Sequence, residues 1–350
     1  MQAPHTFTVS PWPWLPPELV SQILEELWAL PLAIEERSAV FKNACLVNHA
    51  WLVLFLRVAM RHVHLPSPLD PSDYLRLLHE RTAADGETDP FTAEASRLAN
   101  HMCRSITFDI DGRSPPADDD GDGPCGEPAP EIKLYSDADT SGVSTALYMV
   151  SALDWLPNLR HVALRYTDWG YDDVFAQLAA GAFPRQATQL SVEYAFTAPA
   201  LAPLAVYLKA LYTRQDPGAP RGTVPGVRHL AVGGAPAEFV ADMLEVCTGV
   251  ETLELVYPSR LYVLAPLPAS VRTVVVRQPG RVLGKGEMHW WTMGMAVESG
   301  LFTCGEGGRI VIRSGTPDPV AFTSLRRHCR RFGVELAYVR EEEFGRGLGD

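Results

Sequence analysis

The sequence predicts an α/β protein: a small N-terminal module of three helices, then an irregular α/β solenoid built on a parallel sheet. Three observations carry this. Apolar stripes of helical period crowd the first 68 residues. After about residue 100 a short pattern, apolar-x-x-apolar-x-apolar, occurs six times. Most gaps between its copies hold an amphipathic helical segment, and strand–helix–strand connections within one sheet require parallel strands.

Length and charge set the frame. A chain of 350 residues exceeds the usual single domain, so the expected division is a module of residues 12–68 and a larger unit of residues 69–350. Thirty bases against 42 acids leave a formal charge of −12. That works against non-specific binding to nucleic acid or anionic lipid. The opening MQAPHTFTVSPWPW lacks the basic flank and long apolar run of a secretory signal. No apolar run reaches the roughly 18 residues of a membrane span. The six cysteines, Cys45, Cys103, Cys125, Cys247, Cys304 and Cys329, are scattered without a CxxC pair. An intracellular protein, of cytoplasm or nucleus, is expected, its thiols reduced and mostly core fillers.

The first helix starts behind Leu15. Pro16 and Pro17 suit a first turn, where a missing amide hydrogen costs nothing, and Glu18 complements the positive end of the dipole. Leu19, Val20, Ile23, Leu24, Leu27 and Trp28 then cover about half the helix cylinder, wider than the stripe a core-capping helix needs. Pro31 ends it. A second helix is expected from Glu35 through Cys45 and a third in HAWLVLFLRVAM, with the turn Leu65–Pro68 closing the unit. So small a core would gain from leaning on a neighbour.

These residues carry a resemblance. Leu15-Pro16-x-Glu18-Leu19-x-x-x-Ile23-Leu24-x-x-Leu27, followed by Leu46-Val47-x-x-x-Trp51, resembles an F-box, in the F-box-like form abundant in basidiomycete fungi. Its first and second helices are farther apart than in the commonest form, and Asn48-His49-Ala50 replaces a more basic stretch. An F-box is a three-helix motif that docks on the Skp-type adaptor of a Skp–cullin–F-box ubiquitin ligase. The resemblance implies that Leu15, Pro16, Leu19, Ile23, Leu46, Val47 and Trp51 contact the adaptor or brace the contacting surface. Periodicity alone supports a blander expectation, a helical cap with all of Leu19–Trp28 buried against the larger domain.

In the larger unit the recurring pattern is Cys103–Ile106–Phe108, Leu159–Val162–Leu164, Ala187–Leu190–Val192, Val227–Leu230–Val232, Val250–Leu253–Leu255 and Val271–Val274–Val276. Weaker copies lie in GGRIVIRSG and FGVELAYV. Several repeat spacings fall in the range of solenoids. Helices are expected in GVSTALYMVSALDWLP, YDDVFAQLAAGAFP and APAEFVADMLEVCTG. The pieces resemble a degenerate leucine-rich repeat. The regular repeat has an Asn after each strand, and the equivalent positions here are Thr167, Ala195, Ala235, Pro258 and Pro279. The turns must therefore close differently. The alternative is an ordinary doubly wound α/β domain.

Residues 111–131, DGRSPPADDDGDGPCGEPAPE, are acidic and nearly free of apolar side chains, so a disordered insertion is expected. Asp118-x-Asp120-x-Asp122-Gly123 matches half a calcium loop, but Ala129 stands where the bidentate Glu belongs. GRVLGKGE lacks the Ser or Thr of a phosphate loop. His62 and His64 are expected on a helix end covering surface rather than holding metal. Arg326, Arg327, Arg330 and Arg331 form the polar side of an amphipathic helix, expected to be solvated and partly neutralised by Glu341–Glu343. The Met-rich segment around Trp290 and Trp291 is expected to pack in a core.

The functional expectation joins these parts. The protein has no catalytic residues, no cofactor and no metal. It binds a Skp-type adaptor, and through it a cullin, by the N-terminal helices, and holds an unidentified protein target on the α/β unit. The alternatives are an interaction scaffold outside any ligase, or an α/β enzyme with an unrecognised site.

Overall fold

The wide apolar stripe behind the two prolines forms helix α1, Pro17–Ala29, with Glu18 in its first turn. Helix α2 is Ile34–Leu46 and α3 is His49–Arg61. The computed structural model describes residues 15–30, 32–66, 72–79, 90–111, 137–171, 174–175, 178, 183–197, 222–256, 261–282, 290–302, 307–316 and 319–340. The Ala33 N–H donates to the Glu36 carboxylate at 3.0 Å ahead of α2. Asn48 caps α3, its Oδ1 accepting from the Trp51 N–H at 2.9 Å. In α1 only Val20, Leu24 and Trp28 are buried, four residues apart, and they meet Phe55, Val58 and Ala59 of α3 in a small separate core.

Arg37 of α2 ties the end of α1. Its guanidinium donates to the carbonyls of Trp28 at 2.7 Å and Leu30 at 2.9 Å, and lies 5.0 Å from the Trp28 ring. Carbonyls left without partners at a helix C-terminus are thereby satisfied.

The stretch expected to close the module begins inside a strand. Strand β1, His62–Pro66, follows α3 directly and pairs in parallel with β2, Ser105–Asp111. His62 and His64 therefore lie on a strand rather than a helix end. The reason is the period-two alternation of His62, Val63, His64 and Leu65, which places Val63 and Leu65 against the main core. The other strands are β3 (His161–Thr167), β4 (Gln189–Ala195), β5 (His229–Gly233), β6 (Thr252–Val256), β7 (Thr273–Val282), β8 (Arg309–Thr316) and β9 (Glu335–Arg340). All are parallel and lie in chain order, β1 to β9. The sheet is open, with β1 and β9 at its edges.

The middle position of the sequence pattern forms one register row across β2 to β7: Ile106, Val162, Leu190, Leu230, Leu253 and Val274, all buried. The first position lies in the turn before each strand and is buried too. There the ladder continues by one bond: Arg160, Thr188, Arg228 and Glu251 donate in turn to the carbonyls of Arg104, Arg160, Thr188 and Arg228.

The expected helices appear as α6 (Asp137–Ala152), α7 (Ala237–Val246), α8 (Trp290–Glu298) and α9 (Pro319–Arg331). Two further helices, α4 (Ser72–His79) and α5 (Pro90–Met102), separate β1 from β2. A short 3-10 turn, Leu261–Leu264, lies between β6 and β7. In the stretch YDDVFAQLAAGAFP most of the expected helix lies outside the described residues, though Val174, Phe175 and Leu178 are core side chains. Residues 112–131 with Cys125, residues 283–287 of the stretch GRVLGKGE, Cys304 and Glu341–Glu343 also lie outside them. Among the described residues no helix is long and apolar enough to cross a membrane.

The turns do close without an Asn ladder where they can be followed. After β3 the buried Asp168, at φ 53°, accepts from the Thr197 N–H and hydroxyl, both at 2.8 Å. One carboxylate thus joins the turns after β3 and β4.

Candidate functional site

Burying Val20, Leu24 and Trp28 against α3 turns the rest of the α1 stripe outward. Leu15, Leu19 and Ile23, again four apart, are 40%, 46% and 49% exposed. At the turn from α2 to α3, Leu46 is 81% and Val47 53% exposed. Pro16 is exposed as well. Trp51 is half-buried and packs against the module's core, so it braces rather than projects. Isolated exposed aliphatics are ordinary on protein surfaces. The concentration here is not: among the described residues, seven of the eleven large exposed apolar side chains lie within residues 15–47. Covering each half-exposed aliphatic would release roughly 1 kcal/mol before association costs.

A second surface comes from the sheet. With the apolar rows turned toward the core, the alternate residues form a second face that carries the sheet's polar side chains, with Ala163, Val275 and Val311 buried among them. His62 hydrogen-bonds Ser105 Oγ through Nδ1 at 2.8 Å, and His161 hydrogen-bonds Ser191 Oγ through Nε2 at 2.8 Å. His229 lies 3.4 Å from Glu254, which also meets Arg313 at 3.2 Å. Each of these three histidines sits on an odd-numbered strand and is tied to the next strand. Farther along the strands Arg165 lies between Asp109 and Glu193, 3.7 Å from each. Burial pushes both His62 and His161 down to about 4, with neighbouring cations or histidines acting in the same direction. Burial alone would raise the Glu254 carboxyl, but the bond to His229 and the Arg313 charge hold it below its usual range. The face therefore mixes the neutral imidazoles of His62 and His161 with paired charges such as Glu254 and Arg313.

Where the N-terminal module abuts the edge of the sheet, a pocket of about 160 Å³ is lined by Trp28, Ile34, Arg37, Phe41, His64 and Asp109, among others. Its lining comes from α1 and α2 on one side and from β1 and β2 on the other. Its walls offer apolar rings, the cations of Arg37 and Lys42, and the polar side chains of Ser38, His64 and Asp109, with His64 Nδ1 3.9 Å from Asp109 Oδ2. Among the described residues no group of three His, Cys, Asp or Glu side chains is placed to hold a metal ion. Burial raises the thiols of Cys103 and Cys247 to about 12 and that of Cys329 to about 11, which makes them unreactive core groups.

The buried imidazoles predict acid sensitivity. An unfolded chain takes protons on His62 and His161 below about pH 6.5, whereas the folded chain resists until about 4. Their contribution to stability is full above that upper value and is lost as pH falls through the window. Urea midpoints should drop between pH values of about 7 and about 5, where most carboxylates remain ionised, and His161→Gln should flatten the drop. An equal slope in the variant would contradict the role given to His161.

No family model, curated protein or solved structure matches the chain.

Proposed function

We propose that this chain is the target-receptor subunit of a Skp–cullin–F-box type ubiquitin ligase. The N-terminal helices dock on the Skp-type adaptor through Leu15, Pro16, Leu19, Ile23, Leu46 and Val47, with Trp51 bracing that surface. The α/β unit, taken as an irregular leucine-rich-repeat-like solenoid, holds the target. No chemistry is asked of this chain; it raises the target's effective concentration beside the transfer enzyme. One observation carries the reading. Five apolar residues matched by the F-box-like pattern, Leu15, Leu19, Ile23, Leu46 and Val47, are left uncovered on a module that buries Val20, Leu24 and Trp28.

Mixing the full chain with a fungal Skp-type adaptor tests it. A complex should form, and Leu19→Asp with Ile23→Asp should weaken it by at least about a hundredfold, since two apolar contacts become two buried charges. Both positions are about half exposed, so the melting temperature should move by only a few degrees. Absence of a complex, or one indifferent to the double substitution, would sink the proposal. Under the scaffold alternative the same substitutions unfold the module, which a melt detects.

A further inference from the structure

We infer that the outer face of α9 binds an acidic segment of another polypeptide through carboxylate or phosphate groups spaced along it. Arg326, Arg327, Arg330 and Arg331 are all exposed, while Leu325 and Cys329 of the same helix are buried. Among the described residues none of the four makes an ion pair, although a neighbouring arginine does: Arg309 with Glu335 at 3.6 Å. Four positive charges with no ion-pair partner among the described residues thus share one helix end in a chain whose formal charge is −12.

Stability of the helix accounts for only part of this. Cations in the last turn complement the negative end of the dipole, which covers Arg330 and Arg331. Arg326 and Arg327 lie a turn further in, and each stands four residues before another arginine, a like-charge spacing that weakens a helix. All four are arginine, whose planar fork matches carboxylate and phosphate oxygens in pairs. The pairs Arg326–Arg330 and Arg327–Arg331 are each separated by about 6 Å along the axis. Alternate residues of an extended peptide are separated by about 6.6 Å. A segment with an acidic group at every second position can therefore meet one arginine pair in step. Phe332, 48% exposed just past the helix, offers an apolar contact beside them.

A polypeptide is favoured over other polyanions. The acidic remainder of the molecule repels a long uniformly charged surface, but a short segment experiences mainly the local patch. The apolar side of α9 is used in packing, with Leu325 and Cys329 in the main core, and cannot insert into a bilayer. Nothing here depends on adaptor docking, so the two proposals stand or fall separately.

Fluorescence anisotropy on the full chain tests it, with labelled peptides in which glycine alternates with glutamate, with phosphoserine or with glutamine. The glutamate or phosphoserine peptide should bind and the glutamine peptide should not, and raising the salt should weaken binding. Which acidic peptide binds more tightly identifies carboxylate or phosphate as the group recognised. Arg326→Glu with Arg330→Glu should weaken binding at least about tenfold, with the melting temperature and adaptor binding unchanged. If that variant does not fold, Arg326→Gln with Arg330→Gln carries the same comparison. Three results would overturn the inference: no acid-dependent binding, equal binding by the folded variant, or tighter variant-sensitive binding of duplex DNA or phosphatidylserine vesicles.

Discussion

Trp28→Ala is expected to melt the N-terminal module and to abolish adaptor docking together. Trp28 is 5% exposed and touches every part of the module. Its ring meets Phe55 edge-on at 5.3 Å, Phe41 at 6.3 Å and the His64 ring of β1 at 5.6 Å. Its Nε1–H donates to the His62 carbonyl at 2.7 Å, the bond that fastens α1 to the first strand. The Arg37 guanidinium stacks over it. Removing a buried Trp costs about 3–5 kcal/mol, and the lost bonds add to that. Among the described residues the module's core contains only seven buried side chains, so this loss falls on little reserve. Thermal melts followed by circular dichroism, with adaptor binding in parallel, provide the measurement. Trp28→Phe keeps a ring but not the donor and should fall between the two. A Trp28→Ala protein that melts with the natural one would remove the tryptophan from the centre of this account.

The contrast with Leu19 and Ile23 shows what could be read from the chain. All belong to the apolar stripe of α1, and their spacing announces a helix. Spacing cannot say which half of a wide stripe a neighbour takes. That was decided by α3, whose Phe55, Val58 and Ala59 accept Val20, Leu24 and Trp28 and leave the others outside. Eight of the nine strands were legible because each repeats two core-facing positions, at Ile106 and Phe108 or their counterparts, all buried except Tyr338 of β9, which is half-buried against the same core. β1 was not, since five residues ending in proline directly after a helix resemble a frayed end more than a strand. Its alternation of His with Val and Leu was the available signal. Helices α4 and α5 were also missed. Prolines at 71 and 90 marked their starts, but neither carries a long enough apolar stripe to stand out. The histidine and charge lattice on the sheet needed the strand register, because its members are the unconstrained positions of the pattern.

Gly234→Ala is expected to be more damaging still, for a reason visible only in three dimensions. Gly234 follows β5 at φ +72°, where an L-residue is strained. An added Cβ would lie 1.9 Å from the carbonyl oxygen of Tyr194, at the end of β4. That oxygen is backbone and cannot swing away as a side-chain tip could. Relief requires parting β4 from β5 or reversing the turn, and either disturbs the aromatic cluster beneath. Tyr194 stacks on Tyr166 with centroids 4.8 Å apart, and it meets Tyr171 at 4.7 Å and Phe239 at 5.5 Å. Tyr171 donates its hydroxyl to the Gly234 carbonyl at 3.2 Å. The control is Gly300→Ala: φ is +77°, but nothing lies within 4 Å of the added atom. That variant bears the conformational term alone, about 1–2 kcal/mol. The difference between the two unfolding free energies isolates the clash. It should amount to several kcal/mol, enough to keep Gly234→Ala from accumulating as a folded protein. Equal urea midpoints for the two variants would show that β4 and β5 are not as close at this turn as the register requires.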